Sequence, residues 1–572
     1  MENKLGRSSE TNNGDSNNTV VALDNDIHIS LETERAEEQS ENNVANIEKQ
    51  CSSVKAETPR VEEPHSIYSR SKKLTITLIV SYAGLVSPFS GTIYYPALPQ
   101  ISQEFNVSTS LVNLTVTVYM IFQALAPSFW GPLSDLVGRR PVYVGTLIVF
   151  ICICVGLALA PSYPALLVLR MLQAFGASSA IALGAGVISD FSTPAEQVTL
   201  LISLSCFLAA LCMLDTNFLL NNRRGGYFSI FGSCQMISTT IGPVLGGVVS
   251  EELSWRWVFW ILFIMGVVAF FAIFFFVPET LRSLVGNGSI YANPTPSQWI
   301  KQKLSKENTR KPKAQRPHKK IPNFLEPFLV LRYPDICISL VINGLFTAIM
   351  YCFMTTTPTH FTTIYGLNEL QVGLCYLPYG LGCVIGASVS GWLINRDFRT
   401  IAGKEGIAPD EVKKSGKLAL NYPIHRARLH SAWVLMTFGI GVTIVYGWTL
   451  YKEVHLAVPV ILQFLAGVSM TPIFNSIMTL STDLFPGRGA TITASANLVR
   501  CIFGAIATST IEPGINGVGI GWIFTILGLI LAITIGLVPV LIKYGPQWRT
   551  ARAEQDKHRL AKRKNTNNTV VA

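Results

Sequence analysis

The sequence predicts an all-α integral membrane protein of about twelve spanning helices, arranged as two six-helix bundles related by pseudo-twofold symmetry. Three observations carry this. Of 572 residues, 49% are hydrophobic and only 14% charged, with mean hydropathy +0.38, whereas soluble chains carry about 25% charged residues. Apolar runs of roughly 20 residues, enough to cross a hydrocarbon core of about 30 Å, recur along the chain. A polar pattern after the second run returns 260 residues later, after the eighth.

The spans fall at roughly 74–95, 110–131, 141–161, 164–188, 227–250, 256–277, 335–357, 370–394, 431–451, 455–479, 490–512 and 520–543. Continuous apolar runs of this length are helices, because barrel strands are shorter and alternate. Residues 1–73 are polar, rich in Asn, Glu and Ser, and hold no apolar core of a signal peptide; they read as a disordered cytosolic tail. The N-terminal bundle then covers 74–280, a cytosolic linker 281–334, the C-terminal bundle 335–543 and a basic cytosolic tail 544–572.

Lys and Arg in the short loops set the orientation. Arg70, Lys72 and Lys73 precede the first span, Arg139 and Arg140 follow the second, and Arg223 and Arg224 precede the fifth. The linker is dense in Lys, Arg396, Arg399, Lys413, Lys414 and Lys417 follow the eighth span, and Arg488 follows the tenth. With twelve spans these loops share one face, and the other carries chiefly Arg256 and Lys452. Both termini are therefore expected in the cytosol. The net charge of +10 belongs to these loops and not to a folded basic domain with stacking aromatics, so nucleic acid is not an expected partner. The eleven cysteines are scattered, without metal-ligand or paired-disulfide spacing, and read as small packing residues.

One stretch breaks the pattern. The apolar segment Val198 to Leu214 is marginal as a span, and a crossing there would turn every later basic loop outward. It fits the interface or the bundle surface better. Deleting Gln197 to Arg223 would also leave TPAERGGYFSIFG, and Asp190, Pro194, Arg224 and Gly225 would then run in the order of Asp483, Pro486, Arg488 and Gly489. We take 197–223 as an atypical insert, by hypothesis an unspliced intron or a lineage-specific addition. A mature message containing these codons excludes the intron.

The repeat itself reads Gly131-Pro-Leu-Ser-Asp135-Leu-Val-Gly138-Arg139-Arg140 after the second span and Gly391-Trp-Leu-Ile-Asn395-Arg396-Asp397-Phe-Arg399 after the eighth. A Gly, a polar side chain four later and an Arg eight later recur, which implies parallel repeats. Gly131 is expected to let the second helix approach a neighbour, and Asp135 to pair with Arg139 or bond a helix terminus. The pair serves either as a latch or as a stabilising cluster.

In these motifs the chain resembles the major facilitator superfamily, specifically the fungal twelve-span drug:proton antiporters and most closely their quinidine-resistance branch. The resemblance covers about Ser71 to Trp548. GPLSDLVGRRP is similar to the superfamily's loop motif between helices two and three. LLVLRMLQAFG resembles its RxxQGxG motif, matching Arg170, Gln173 and Gly176, with Ala174 where Gly is usual. STTIGPVLGG resembles the antiporter motif gxxxGPxxGG through Gly242, Pro243, Gly246 and Gly247, with Ser238 for the first Gly. IYYPALP, WRWVFW, PETLRSLVGNG and DLFPGRGATITASANLVRC are further matches.

The resemblance implies a proton-coupled exporter of drugs, weak acids, amino acids or polyamines, working by rocking of two bundles, with Arg170 linked to proton coupling. A guanidinium inside the membrane needs acceptors, so Arg170 and the mid-helix Arg500 are expected to face the interior. No Asp or Glu lies at mid-depth in a predicted span. Asp190 and Asp135 are the candidates for protonation, unless they only close helix ends and pair with Arg. Tyr94, Tyr119, Gln123, Gln235, Asn343, Tyr351, Phe353, Tyr376, Asn475 and Arg500 are the candidates for lining the substrate cavity, each with packing as its alternative.

No GxxxxGK[ST] loop is present, so ATP drive is not expected, nor covalent chemistry; the energy source would be the proton gradient, with no bound cofactor and no metal. The expected partners are the lipid bilayer, protons and a small organic solute, the expected state is a monomer, and the expected location is the plasma membrane before the vacuolar one. A sequon at Asn106-Val-Ser108 lies in a loop too close to the bilayer to be modified. The rival readings are a uniporter or importer on the same scaffold, or a non-transporting sensor.

Overall fold

The structure, a computed structural model, describes residues 68–191, 226–286, 292–299, 325–406, 422–485 and 489–571. All of them lie in one compact unit, His65–Ala572. The tail to residue 67, the atypical insert 197–223 and much of the linker lie outside the described residues.

Twelve long helices follow in order: α1 Arg70–Thr92, α2 Thr109–Val137, α3 Arg139–Ala158, α4 Tyr163–Phe191, α5 Gly226–Glu252, α6 Trp255–Phe276, α7 Pro334–Tyr365, α8 Glu369–Lys404, α9 Ala432–Tyr451, α10 Ala457–Leu484, α11 Gly489–Val518 and α12 Ile520–Val571. A single turn residue, Ser178, interrupts α4. Eleven spans among the described residues are long and apolar enough to cross a membrane, α5 being the exception.

The helix pairings repeat with a shift of six helices. α1 packs on α5 as α7 on α11, α2 on α4 as α8 on α10, and α3 on α6 as α9 on α12. The halves meet through α5 against α8 and α2 against α11, pairs that exchange under the same shift. Burial follows the symmetry. α6 and α12 have the highest hydropathies, 2.8 and 2.7, and the least buried windows, 33% and 28%, because they face lipid. α1 and α7 are the most buried, at 61% and 67%. A helix surrounded by protein needs fewer apolar side chains than one surrounded by acyl chains.

Local chemistry sets the ends. Ser69 and Ser108 cap α1 and α2 by accepting from the backbone N–H groups of Lys72 and Leu111. Asn368 and Gln371 form a reciprocal capping box at α8. Gly138, between α2 and α3, holds φ +118°, which side chains rarely adopt. α12 continues as helix through the segment read as a basic tail, whose Ala, Arg, Lys and Glu residues favour helix. Twelve crossings bring the start of α1 and the end of the α12 span to one side of the bundle, here the tail side; the other is the far side.

Candidate functional site

Arg170, on α4, is completely buried. One guanidinium nitrogen, Nη1, donates to Gln173 Oε1 at 2.6 Å and to the Ser90 carbonyl at 3.3 Å. The guanidinium carbon lies 4.0 Å from the Tyr94 ring centroid and 4.4 Å from that of Tyr119. Each such desolvated contact contributes about 2 kcal/mol. Hydrogen bonds hold the rings in place: the Tyr94 and Thr115 hydroxyls are 2.9 Å apart, those of Tyr119 and Ser90 are 2.6 Å apart, and Tyr119 also donates to the Ser87 carbonyl. Nε and Nη2 of Arg170 have no partner.

Arg500, on α11, is half-buried and donates through Nη2 to Asn497 Oδ1 at 2.6 Å, while its Nε is unpartnered. Asn497 in turn donates from Nδ2 to the Gln123 carbonyl at 3.1 Å, joining α11 to α2 across the halves. Tyr351 of α7 packs on Gly504, where a Cβ would come within 2.7 Å of its ring. It is an electrostatic neighbour of both Arg500 and Tyr119. Arg170, Tyr119, Tyr351 and Arg500 thus form a row from one half to the other.

The other cavity candidates divide. Asn343 is buried with Oδ1 unpartnered, Asn475 donates to Ser390 Oγ at 2.9 Å, and Gln235 is half-buried on α5. Tyr376 is buried and donates to the Met354 carbonyl at 2.6 Å. Phe353 lies edge-on to Tyr446, with centroids 4.4 Å apart, and stacks on Phe524. Phe353 therefore packs inside the C-terminal half, while Tyr376 is also an electrostatic neighbour of Tyr95 of the N-terminal half.

On the tail side Arg139 contacts three residues. Nη2 is 2.8 Å from Asp135, Nε is 3.3 Å from Asp190, and Nη1 donates to Ser134 Oγ at 2.6 Å. Asp135 is 57% exposed and Asp190 only 12%, so the Asp190 contact is the less screened by water. Gly131 does not serve a close approach, because a Cβ there meets nothing within 4 Å. The tight spot is Gly186 of α4, where a Cβ would come 2.8 Å from the Arg139 guanidinium.

Sequence reasoning missed Glu279. Buried beyond α6, it accepts from the backbone N–H groups of Arg139 (2.9 Å), Arg140 (3.4 Å), Thr280 and Leu281 (both 3.1 Å), and from Asn293 Nδ2 at 3.2 Å. It supplies the acceptor that the start of α3 lacks, since Gly138 has no side chain to cap it. Arg140 completes this corner, donating to the carbonyls of Phe274, Asn293 and Pro294. The signal was available: a helix opening Gly-Arg-Arg-Pro without its own cap needs an acceptor from elsewhere.

The C-terminal half corrects the repeat. Arg399 is exposed, with no ion pair among the described residues, and Asn395 is half-buried. The counterpart of Arg139 is Arg428, just before α9, whose Nη2 and Nε lie 2.8 and 2.9 Å from Asp483 at the end of α10. Asp397, buried, accepts from the Ser431 N–H and hydroxyl. The shift arises because α8 runs unbroken to Lys404, so the residues spaced like the first motif stay on one long helix. Arg552 pairs with the buried Asp335 at 2.9 Å, tying the extension of α12 to the start of α7.

The glycines of the fifth span close the far side. A Cβ at Gly242 or Gly246 would overlap Thr92 or the Ile93 carbonyl of the α1 region, and one at Gly247 would sit 2.5 Å from the Glu369 carbonyl of α8. Gly373 returns the contact, its Cβ position 2.8 Å from the Pro243 carbonyl. Ser238, standing where the resembling motif has Gly, donates to the Leu85 carbonyl at 3.1 Å. Further along, the Thr117 and Thr508 hydroxyls lie 3.0 Å apart, and the Glu369 N–H donates to Glu251 Oε2.

The profile of the Major Facilitator Superfamily matches residues 80–508. The chain is 36% identical to MFS-type transporter phiD of Fungal sp. over 88% of this chain and 73% of that one. It is 34% identical to Citrate exporter 1 of Aspergillus niger, over 86% and 89% of the two chains. With Multidrug transporter QDR2 of Candida glabrata the identity is 31%, over 86% and 84%. With two symmetric six-helix halves and this match over most of its length, the chain belongs to the major facilitator superfamily and is a multi-pass membrane transporter of the fungal type.

Proposed function

We propose that the chain exports a small organic solute across the plasma membrane in exchange for protons, by rocking of its halves about the row that runs from Arg170 to Arg500. The tail side then faces the cytosol, as the loop charges favour. The observation that carries the reading is the backbone-to-backbone contact of Gly247 and Gly373 on the far side. Such a contact seals that side when formed and opens it when the halves tilt, without any side chain having to rearrange. The likeness to a citrate exporter and to a multidrug transporter supports an organic solute moving outward. Asp190, buried beside Arg139, is the candidate proton carrier, since a proton on its carboxyl would weaken its hold on the guanidinium. Arg170 and Gln173 would couple to it through α4, which carries all three.

Inverted membrane vesicles with an imposed pH gradient test this. Export in exchange for protons predicts solute accumulation when the lumen is acidic and none when the gradient is collapsed. Accumulation that ignores the gradient would instead favour a uniporter.

A further inference from the structure

Arginine partners differ with place in the fold, and the difference points to the charge of the solute. Four arginines near helix ends have carboxylate partners: Arg139 with Asp135 and Asp190, Arg428 with Asp483, Arg552 with Asp335, and Arg256 with Glu104. Arg170 and Arg500, inside the bundle, have none among the described residues, and Arg170 keeps two buried nitrogens and Arg500 one without a hydrogen-bond partner. A guanidinium offers five donors, and burying it half-satisfied in a medium without water is costly. The described residues around the row supply phenols and amides, all neutral. A cationic solute would meet two positive charges there and nothing to neutralise its own.

We propose that the transported solute is a small organic anion, whose oxyanion group is held by Arg500 of the C-terminal half and drawn toward Arg170 of the N-terminal half. A guanidinium and an oxyanion form paired, charge-assisted hydrogen bonds, and these strengthen where water is excluded. Arg500, half-buried, is the accessible member and makes the first contact. Arg170 lies deeper, behind Tyr119, so it adds its attraction as the halves close. The hydroxyl of Tyr351 can donate to a further oxygen of the solute, whereas that of Tyr119 is engaged by Ser90 and the Ser87 carbonyl. One anion shared by a cation from each half gives the solute a reason to draw the halves together. The inference rests on the transporter reading above for the site's purpose, but not on the direction of movement or on proton exchange.

The test is equilibrium binding to the full chain in lipid nanodiscs at pH 7, read as the shift in thermal unfolding. Benzoate, citrate, glycerol 2-phosphate and the cation quinidine serve as probes. The expected result is saturable stabilisation by at least one of the anions and none by quinidine. The responding anion then tells a carboxylate solute from a phosphate ester. Arg500→Gln is expected to weaken that binding at least tenfold, and Arg500→Lys, which keeps the charge without the fork, to weaken it less. Should the Gln variant fail to fold, the same ordering between Lys and the parent decides. Silence of all three anions, stabilisation by quinidine alone, or anion binding indifferent to both Arg500 variants overturns the proposal. Because binding needs no gradient, intact anion binding alongside a failed pH-gradient assay would overturn proton-coupled export and leave this inference standing.

Discussion

Replacing Gly247 by valine is expected to lower transport about tenfold or more while the chain still inserts and folds. A Cβ at this position would lie 2.5 Å from the Glu369 carbonyl and 3.1 Å from the Gly373 Cα, backbone atoms of the opposite half that cannot rotate aside. Overpacking of this kind costs about 1–3 kcal/mol. That cost falls only on the state in which α5 and α8 touch, so it moves the equilibrium toward the state with the far side open. At about 1.4 kcal/mol per factor of ten, the ratio of far-closed to far-open protein drops by roughly fivefold to somewhat over a hundredfold. Transport of a solute, together with labelling of the far-side position 508 carrying a Thr508→Cys change by a membrane-impermeant thiol reagent, measures both consequences. Labelling should rise as transport falls. The same change at Gly441, where a Cβ meets nothing within 4 Å, should leave both unaltered.

The second large effect is expected at Arg170. Arg170→Met, close in volume, removes a buried cation held by two tyrosine rings, one glutamine and one carbonyl, with two nitrogens unpartnered. The attraction that disappears and the burial penalty relieved are of similar size, so thermal stability should change little. Transport should fall at least tenfold, and Arg170→Lys should not restore it, because an ammonium cannot face two rings and bond a glutamine together. Unfolding temperature and initial transport rate, measured on the same preparation, separate the two effects. A sensor that moves no solute would show no rate to lose.

Much of this was legible in the chain. The spans follow from apolar length, and the inward placement of Arg170 and Arg500 from the cost of exposing a guanidinium to lipid. The joint at Gly242, Gly246 and Gly247 follows from the density of small residues around Pro243. What escaped was set by distance in sequence. Glu279 caps a helix that begins 140 residues before it, and no local pattern links them. Arg399 matched Arg139 in spacing, yet Arg428 takes the role, because the position of an ion pair depends on where α8 stops and not on how many residues follow Gly391. Phe353 carries the residue type of a cavity lining, and only its packing partners, Tyr446 and Phe524, reveal that it belongs to the C-terminal core.

Alternation of the two halves about their shared interior is tested most directly at Thr117 and Thr508, whose hydroxyls meet 3.0 Å apart across the far side. In the Thr117→Cys/Thr508→Cys protein, oxidation should join α2 to α11, stop transport, and release it again on reduction, while either single variant stays active under oxidant. A cross-linked protein that carries solute at the unoxidised rate would show that these halves need not part for transport.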